Sequence, residues 1–362
     1  YEIRLSLVGS EMCIRDSSIP VAGHFISAYA LGVCVGAPTL ILARKHPLKH
    51  ILLALVTLIM LGNICAAMAP NYWVLLLARF ISGLPHGAYF GVASIVAEKL
   101  ADKGKGSEAV SIMIAGMTIA NLFGVPLGTS LSNAISWRVT FLLVGCWGVI
   151  ILYYIWRWVP HVEGLKDTGF KGQFRFLKTP VPWLILGATA LGNGGVFCWY
   201  SYINPLLTNV SGFSAESITG LMVLAGFGMV VGNLVSGRLS DQYTPGKVGT
   251  TVQAMICVVL LLIFFLSPYP WLSALLMCLC TAGLFAVSSP EQVLIIRVAK
   301  GGEMLGAACV QVAFNLGNAI GAYVGGLAIS GGYRYPALAG VPFAMVGFIL
   351  FLTFYKKYQA KY

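Results

Sequence analysis

An arginine and a histidine, Arg79 and His86, stand inside an apolar run from Tyr72 to Ala97. Seven residues make two helical turns, so both side chains leave nearly the same face of a helix. Ser82, Gly83 and Gly87 leave room beside them for solute, water or a neighbouring helix. An arginine in a spanning helix costs about 2.5–3.5 kcal/mol on insertion scales. It therefore faces a cavity or partner, or it snorkels to the nearer surface, which lies about two turns away at Tyr72. Imidazoles change charge near physiological pH, so His86 is either a proton carrier or a hydrogen-bonded packing residue. Glu291, within Ser288–Gln292, either titrates inside the membrane or meets Arg297 near the boundary. Arg79, His86 and Glu291 form the candidate proton and charge relay. Ser82, Asn121, Asn193, Gln311, Asn315 and Asn318 are hydrogen-bonding groups in apolar runs and the candidate solute contacts. Such groups suit an uncharged or amphipathic solute, a sugar or a drug-like molecule. Trp199 and Tyr200 are read as interfacial anchors first.

The elements that must hold these residues are membrane helices. The chain has 362 residues, 58% hydrophobic and only 10% charged, with a mean hydropathy of +0.84. Soluble domains carry about 25% charged residues, so this is a polytopic membrane protein. Its 42 glycines suit close helix packing in lipid. The net charge of +11 lies between the apolar runs, where topology accounts for it without nucleic acid. Nine cysteines form neither a disulfide framework nor a metal spacing. With no nucleotide loop, metal cluster or nucleophile–base arrangement, no enzyme, metal or cofactor is expected. Residues 1–17 carry five charges, and Leu7–Ser17 resembles the conceptual translation of a sequencing adapter, so they are set aside as a non-native or disordered tail.

Eleven spans are expected, near 19–43, 51–69, 72–97, 109–132, 139–158, 181–207, 216–237, 249–266, 271–296, 304–329 and 337–355. Alternate connections carry the basic residues: Arg44, Lys45 and Lys49; Lys99, Lys103 and Lys105; Arg157, Lys166, Lys171, Arg175 and Lys178; Arg238 and Lys247; Arg297 and Lys300; and the tail lysines. The opposite connections hold Arg138 and Arg334. The positive-inside rule makes the first set cytoplasmic. The polar stretch 159–180 divides an N-terminal bundle, 18–158, from a C-terminal six-helix bundle, 181–356, and a short tail follows, 357–362. The halves repeat. Trp73 and Trp271 begin matching spans 198 residues apart, and Asn121–Gly124 recurs 194 residues later as Asn315–Asn318. Five spans against six imply that a first helix is missing; with it, both native termini are cytoplasmic. The repeat aligns Met277 with Arg79 and Leu284 with His86, so the second half does without these polar groups. Two six-span halves facing a mid-depth site make a transporter architecture.

Three motifs carry a resemblance. Gly237-Arg-Leu-Ser-Asp241, followed by Gly246-Lys247, is similar to the cytoplasmic-loop signature of the major facilitator superfamily. Arg79-Phe-Ile-Ser-Gly83 resembles that family's arginine–glycine pair in the same span. Gly124-Val-Pro-Leu-Gly128 resembles its antiporter signature, with Val125 inserted before the proline. The sequence looks closely like the arabinose efflux permease (AraJ-type) branch of the twelve-span drug/proton antiporters, over Ser18 to about Tyr358. The resemblance implies an all-α membrane protein of the major facilitator fold, two pseudo-symmetric six-helix bundles. It implies a monomer in the inner membrane that exports a small solute against protons by alternating access. Proton symport, uniport and a non-transporting assembly role are the alternatives. Gly237, Arg238, Asp241 and Lys247 are then a gating loop, and Gly124, Pro126 and Gly128 a helix bend. The matching first-half loop, Leu42–Lys49, keeps its basic end but lacks the aspartate, which implies weaker gating there. The resemblance also implies a first-span acid, which would partner Arg79.

Overall fold

The computed structural model describes residues 19–362, so the tail at 1–17 lies outside the described residues. Among these residues there is no strand. Ten helices are long and apolar enough to cross a membrane. The first expected span is present as α1 (Ile19–Thr39), which tightens into a 3-10 turn over Leu40–Ala43. Pro47 ends that connection and precedes α2 (Leu48–Ala67); α3 (Tyr72–Leu100) follows.

The fourth expected span is not one uniform helix. It runs as α4 (Gly106–Ile119), a π turn over Ala120–Gly124, and α5 (Val125–Ala134). Proline at 126 has no N–H for the Leu122 carbonyl, so the ladder must be rearranged nearby. The irregularity therefore falls on Asn121–Gly124, just before the proline, with Gly128 inside α5. Next come α6 (Trp137–Trp158) and a short linker helix, α7 (Gly169–Gln173).

The sixth span is α8 (Pro180–Tyr200) with the short α9 (Ile203–Asn209). Then follow α10 (Ile218–Gln242), α11 (Pro245–Leu266), α12 (Pro270–Ala286), α13 (Ser288–Val298), α14 (Glu303–Ala328) and α15 (Tyr335–Tyr358). Pro290 in the first turn of α13 explains why the ninth span breaks at Val287.

Contacts group the chain into two compact units. The first comprises residues up to Val96, Gly124–Phe176 and Gly301–Val312; the second comprises Ala97–Phe123, Leu177–Lys300 and Ala313–Tyr362. Within the first, α2 packs along α6; within the second, α8 packs along α15 and α10 along α12 and α4. In the second unit a core is built around Trp199, Leu260, Met277, Leu284 and Phe285. Trp199 is 1% exposed, which corrects its reading as an interfacial anchor. Met277 and Leu284, the repeat counterparts of Arg79 and His86, are core residues here.

Candidate functional site

In the first unit a stripe of glycines on α3 brings other helices to backbone contact. A Cβ on Gly83 would overlap the Tyr29 carbonyl of α1. One on Gly91 would meet the Ala308 nitrogen of α14 at 2.8 Å, and one on Gly87 would stand 3.4 Å from Gln311 Cβ. With the helices this close, Tyr29 reaches Arg79. The guanidinium lies 4.6 Å from the Tyr29 ring centroid and 5.2 Å from that of Phe141 on α6. Arg79 is thus held over two aromatic faces inside the unit rather than snorkelling. The Tyr29 hydroxyl and His86 Nδ1 share a hydrogen bond of 2.9 Å. With Nδ1 unprotonated the hydroxyl donates; in the imidazolium, Nδ1–H donates and the hydroxyl oxygen accepts. The bond survives either charge state. The Phe90 ring lies tilted beside His86, with centroids 5.2 Å apart.

Tyr29 therefore joins the two predicted residues, its ring under one and its hydroxyl on the other. Sequence reading missed it. The available signal was a tyrosine mid-span with glycine three residues on, but which helix faces α3 is not written locally. Gln311 is 8% exposed and borders the same face of α3 at Gly87. Ser82 does not belong to this site. Its hydroxyl donates to the Arg79 carbonyl at 3.0 Å, and it packs against Gly62 of α2.

The remaining predicted polar residues lie in the second unit. Asn121 sits in the π turn, and Asn315 and Asn318 are one turn apart on α14, both half-buried. Asn193 is 1% exposed on α8, and so is Glu291 on α13. Thr189 and Asn193 stand beside the Glu291 carboxyl, and neither Glu291 Oε1 nor the Asn193 amide has a hydrogen-bond partner among the described protein groups. Arg297 does not reach Glu291; its Nε pairs with Glu98 at 3.4 Å. The sequence offered both fates for Glu291, and helix packing takes Arg297 away.

The motif at Gly237–Asp241 is not a loop: all five residues continue α10, and the chain turns at Tyr243. Gly237 is required for close approach, because a Cβ there would overlap the Ser111 side chain. The approach lets Asp241 cap another helix. Its Oδ1 accepts the Ser107 N–H at 2.9 Å and its Oδ2 the Glu108 N–H at 2.7 Å. Lys105, at the N-cap position of α4, provides no side-chain cap. Arg238 Nε donates to Glu108 Oε1 at 2.7 Å, and Ser289 Oγ donates to the Ser107 carbonyl at 2.9 Å. Lys247 stands apart from this cluster, over the Tyr243 ring at 4.8 Å. Caps and helix-dipole contacts are worth about 1–2 kcal/mol. Asp241→Ala is thus expected to open this latch about five- to thirtyfold more often. Thiol labelling of Ser289→Cys, now fully buried, reads the opening; an unchanged labelling rate would rule out Asp241 as the clasp.

The first-half loop lacks an aspartate in sequence, yet it has one in space. Arg44 Nε donates to Asp167 Oδ1 of the linker at 3.0 Å. The linker is strapped down by Leu48 N–H to the Val162 carbonyl at 3.1 Å and by Thr168 Oγ1 to the Gly301 carbonyl at 2.6 Å. The Gly169 N–H and then Arg44 hold the Asp167 carboxyl below the usual carboxylate range. Such a group stabilises the folded strap above its unfolded pKa of about 4 and loses that contribution as pH falls below it. Proteolysis between Lys166 and Lys171 is accordingly expected to quicken below pH ~4, and Asp167→Asn to produce that faster cleavage at neutral pH. A cleavage rate indifferent to both would remove Asp167 from the strap.

Among the described residues no group of three or more histidine, cysteine or acidic residues is arranged to hold a metal ion.

A family model described as Major Facilitator Superfamily matches residues 9–308. The chain is 46% identical over 348 residues to a protein named "Putative transporter AraJ" of Escherichia coli (strain K12), covering 95% of this chain and 88% of that one. It is 28% identical to a Helicobacter pylori protein named "Probable sugar efflux transporter", over 85% of this chain and 78% of that one. In fold it resembles the outward conformation of the transporter FucP, with a TM-score of 0.78 at 16% identity, over 97% of this chain and 96% of that one.

Proposed function

The chain belongs to the major facilitator superfamily and is a multi-pass membrane transporter; from that premise we propose that it exports a small polar solute, of sugar or drug-like chemistry, in exchange for protons. The observation that carries the reading is Tyr29, whose ring supports Arg79 while its hydroxyl bonds His86. Solute hydroxyls can take hydrogen bonds from Arg79 and Gln311, and apolar sugar faces can lie on the rings of Tyr29, Phe90 and Phe141. A proton on His86 places a second cation against the ring that already carries Arg79. Solute binding and proton binding then influence each other through one side chain. The relative named as a sugar efflux transporter supports the solute class and the direction.

Glu291 supplies the second proton position in this reading. A buried carboxylate without a basic partner needs a proton or another cation to offset the lost hydration. Thr189 has already given its hydroxyl proton to the Ile185 carbonyl, at 3.0 Å. Its oxygen remains an acceptor, which suits a carboxylic acid that donates. Asn193 is reassigned on this reading from solute contact to partner of the proton site. Alternating access moves the halves 18–158 and 181–356, with 159–180 between them, and Asp241 and Asp167 clasp the side carrying the basic connections. That side is cytoplasmic by the positive-inside rule, in the inner membrane, and a monomer suffices.

The test is reconstitution in vesicles with an imposed pH gradient. Labelled sugars and amphipathic drugs are expected to move oppositely to the protons, and dissipating the gradient is expected to stop accumulation. Solute movement along with the protons would establish symport, and gradient-independent equilibration would establish uniport. No movement of any solute would leave the family fold serving an assembly role.

A further inference from the structure

We propose that the cleft between the end of α1 and the start of α2 binds one anionic phospholipid from the leaflet on the basic side. The cleft holds about 350 Å³, at the lower end of ligand pockets. Its wall is apolar, built from Leu40, Ala43, Ile51 and Leu55, and its polar members include His46 and His50. Both imidazoles are exposed, and the His161 ring of the linker stands 6.2 Å from that of His50. No carboxylate lines the cleft. Asp167, farther along the linker, is paired with Arg44.

The height of the cleft points to lipid. It lies where two spanning helices meet their connection, across the 3-10 turn Leu40–Ala43 and the first two turns of α2. Lys49 donates to the Trp156 carbonyl at 2.8 Å, which brings the end of α6 to the same level. Trp156 and Trp158 there are 62% and 71% exposed, as tryptophans at a membrane–water boundary are. Leu42 is 75% exposed beside the cleft. An apolar slot at the boundary with two imidazole donors at its mouth matches a phosphate carried on an acyl chain. A free anion would leave the apolar wall unused, and in a zwitterionic lipid the headgroup's own ammonium already neutralises the phosphate that the imidazoles would bind. His46 and His50 donate to the phosphate, Lys45 adds charge, and Leu40, Ile51 and Leu55 take the first acyl segment.

Native mass spectrometry of the full chain, with phosphatidylglycerol and phosphatidylcholine of identical acyl chains supplied in equal amounts, tests this. A cationic residue near a membrane surface is worth about a fivefold preference for anionic lipid. Wild type is therefore expected to retain phosphatidylglycerol at least about fivefold over phosphatidylcholine. The double variant His46→Gln/His50→Gln, which leaves Lys45 in place, is expected to lower that ratio. Ala54→Phe, which fills the wall and leaves every imidazole in place, is expected to lower retention of both lipids. Millimolar inorganic phosphate is expected to leave the lipid bound. An equal ratio in wild type, an unchanged ratio in the double variant, or displacement by inorganic phosphate would each overturn the proposal. The wild-type arms decide the matter even if a variant fails to fold.

Discussion

Replacing Arg79 by alanine is expected to cut solute transport by about thirtyfold or more while the protein still inserts and purifies as wild type does. A hydrogen bond from a charged donor is worth about 1.5–3 kcal/mol, and about 2 kcal/mol is about thirtyfold in a binding constant; Arg79 is the cationic donor of the proposed solute site. The variant loses the cation but leaves Tyr29 bonded to His86, so the fold has little reason to change. Arg79→Lys keeps the charge without the planar fork and is expected to recover only part of the rate. The measurement is initial transport rate per inserted protein, beside a size-exclusion profile. Full activity in Arg79→Ala would mean that the guanidinium only packs helices, and the proposed solute site would have to move.

Glu291→Gln is expected to separate transport from the proton gradient. The amide fills the same volume and hydrogen-bonds to Thr189 and Asn193, but it cannot exchange a proton. Solute counterflow, labelled against unlabelled with no gradient, is expected to stay near the wild-type rate. Gradient-driven accumulation is expected to fall to the level seen without a gradient. The neutral amide replaces a carboxyl that is protonated in this reading, so stability should change little. A Gln variant that still accumulates solute against a gradient would assign the coupling proton to His86 alone. Loss of counterflow as well would place Glu291 in the solute path instead.

These sites differ in how far they could be read beforehand. The spans were legible because hydropathy and length are local properties. Predicted 137-region and 72-region spans, 139–158 and 72–97, became Trp137–Trp158 and Tyr72–Leu100. Arg79, His86 and Glu291 were legible because a polar group in an apolar helix is conspicuous wherever it points. Their partners were not. Tyr29, Phe141 and Thr189 are ordinary residues of spanning helices and gain a role only from the neighbour each meets. Asp167 belongs to a linker 123 residues from the arginine it holds, and it stands in for an acid that its own loop does not contain.

Sequence alone determined that this is a helical membrane transporter, which side carries the basic connections, and which polar side chains are costly enough to need a purpose. Those follow from transfer energetics and helical period, which act residue by residue. Tertiary structure decided which helices touch and in what register. It turned a supposed loop at Gly237 into a contact face, gave Arg297 to Glu98 and left Glu291 with Thr189 and Asn193. In lipid, helix register is set by close packing of small residues and by a few interhelical hydrogen bonds. A glycine records that something approaches it, and only the folded chain shows what.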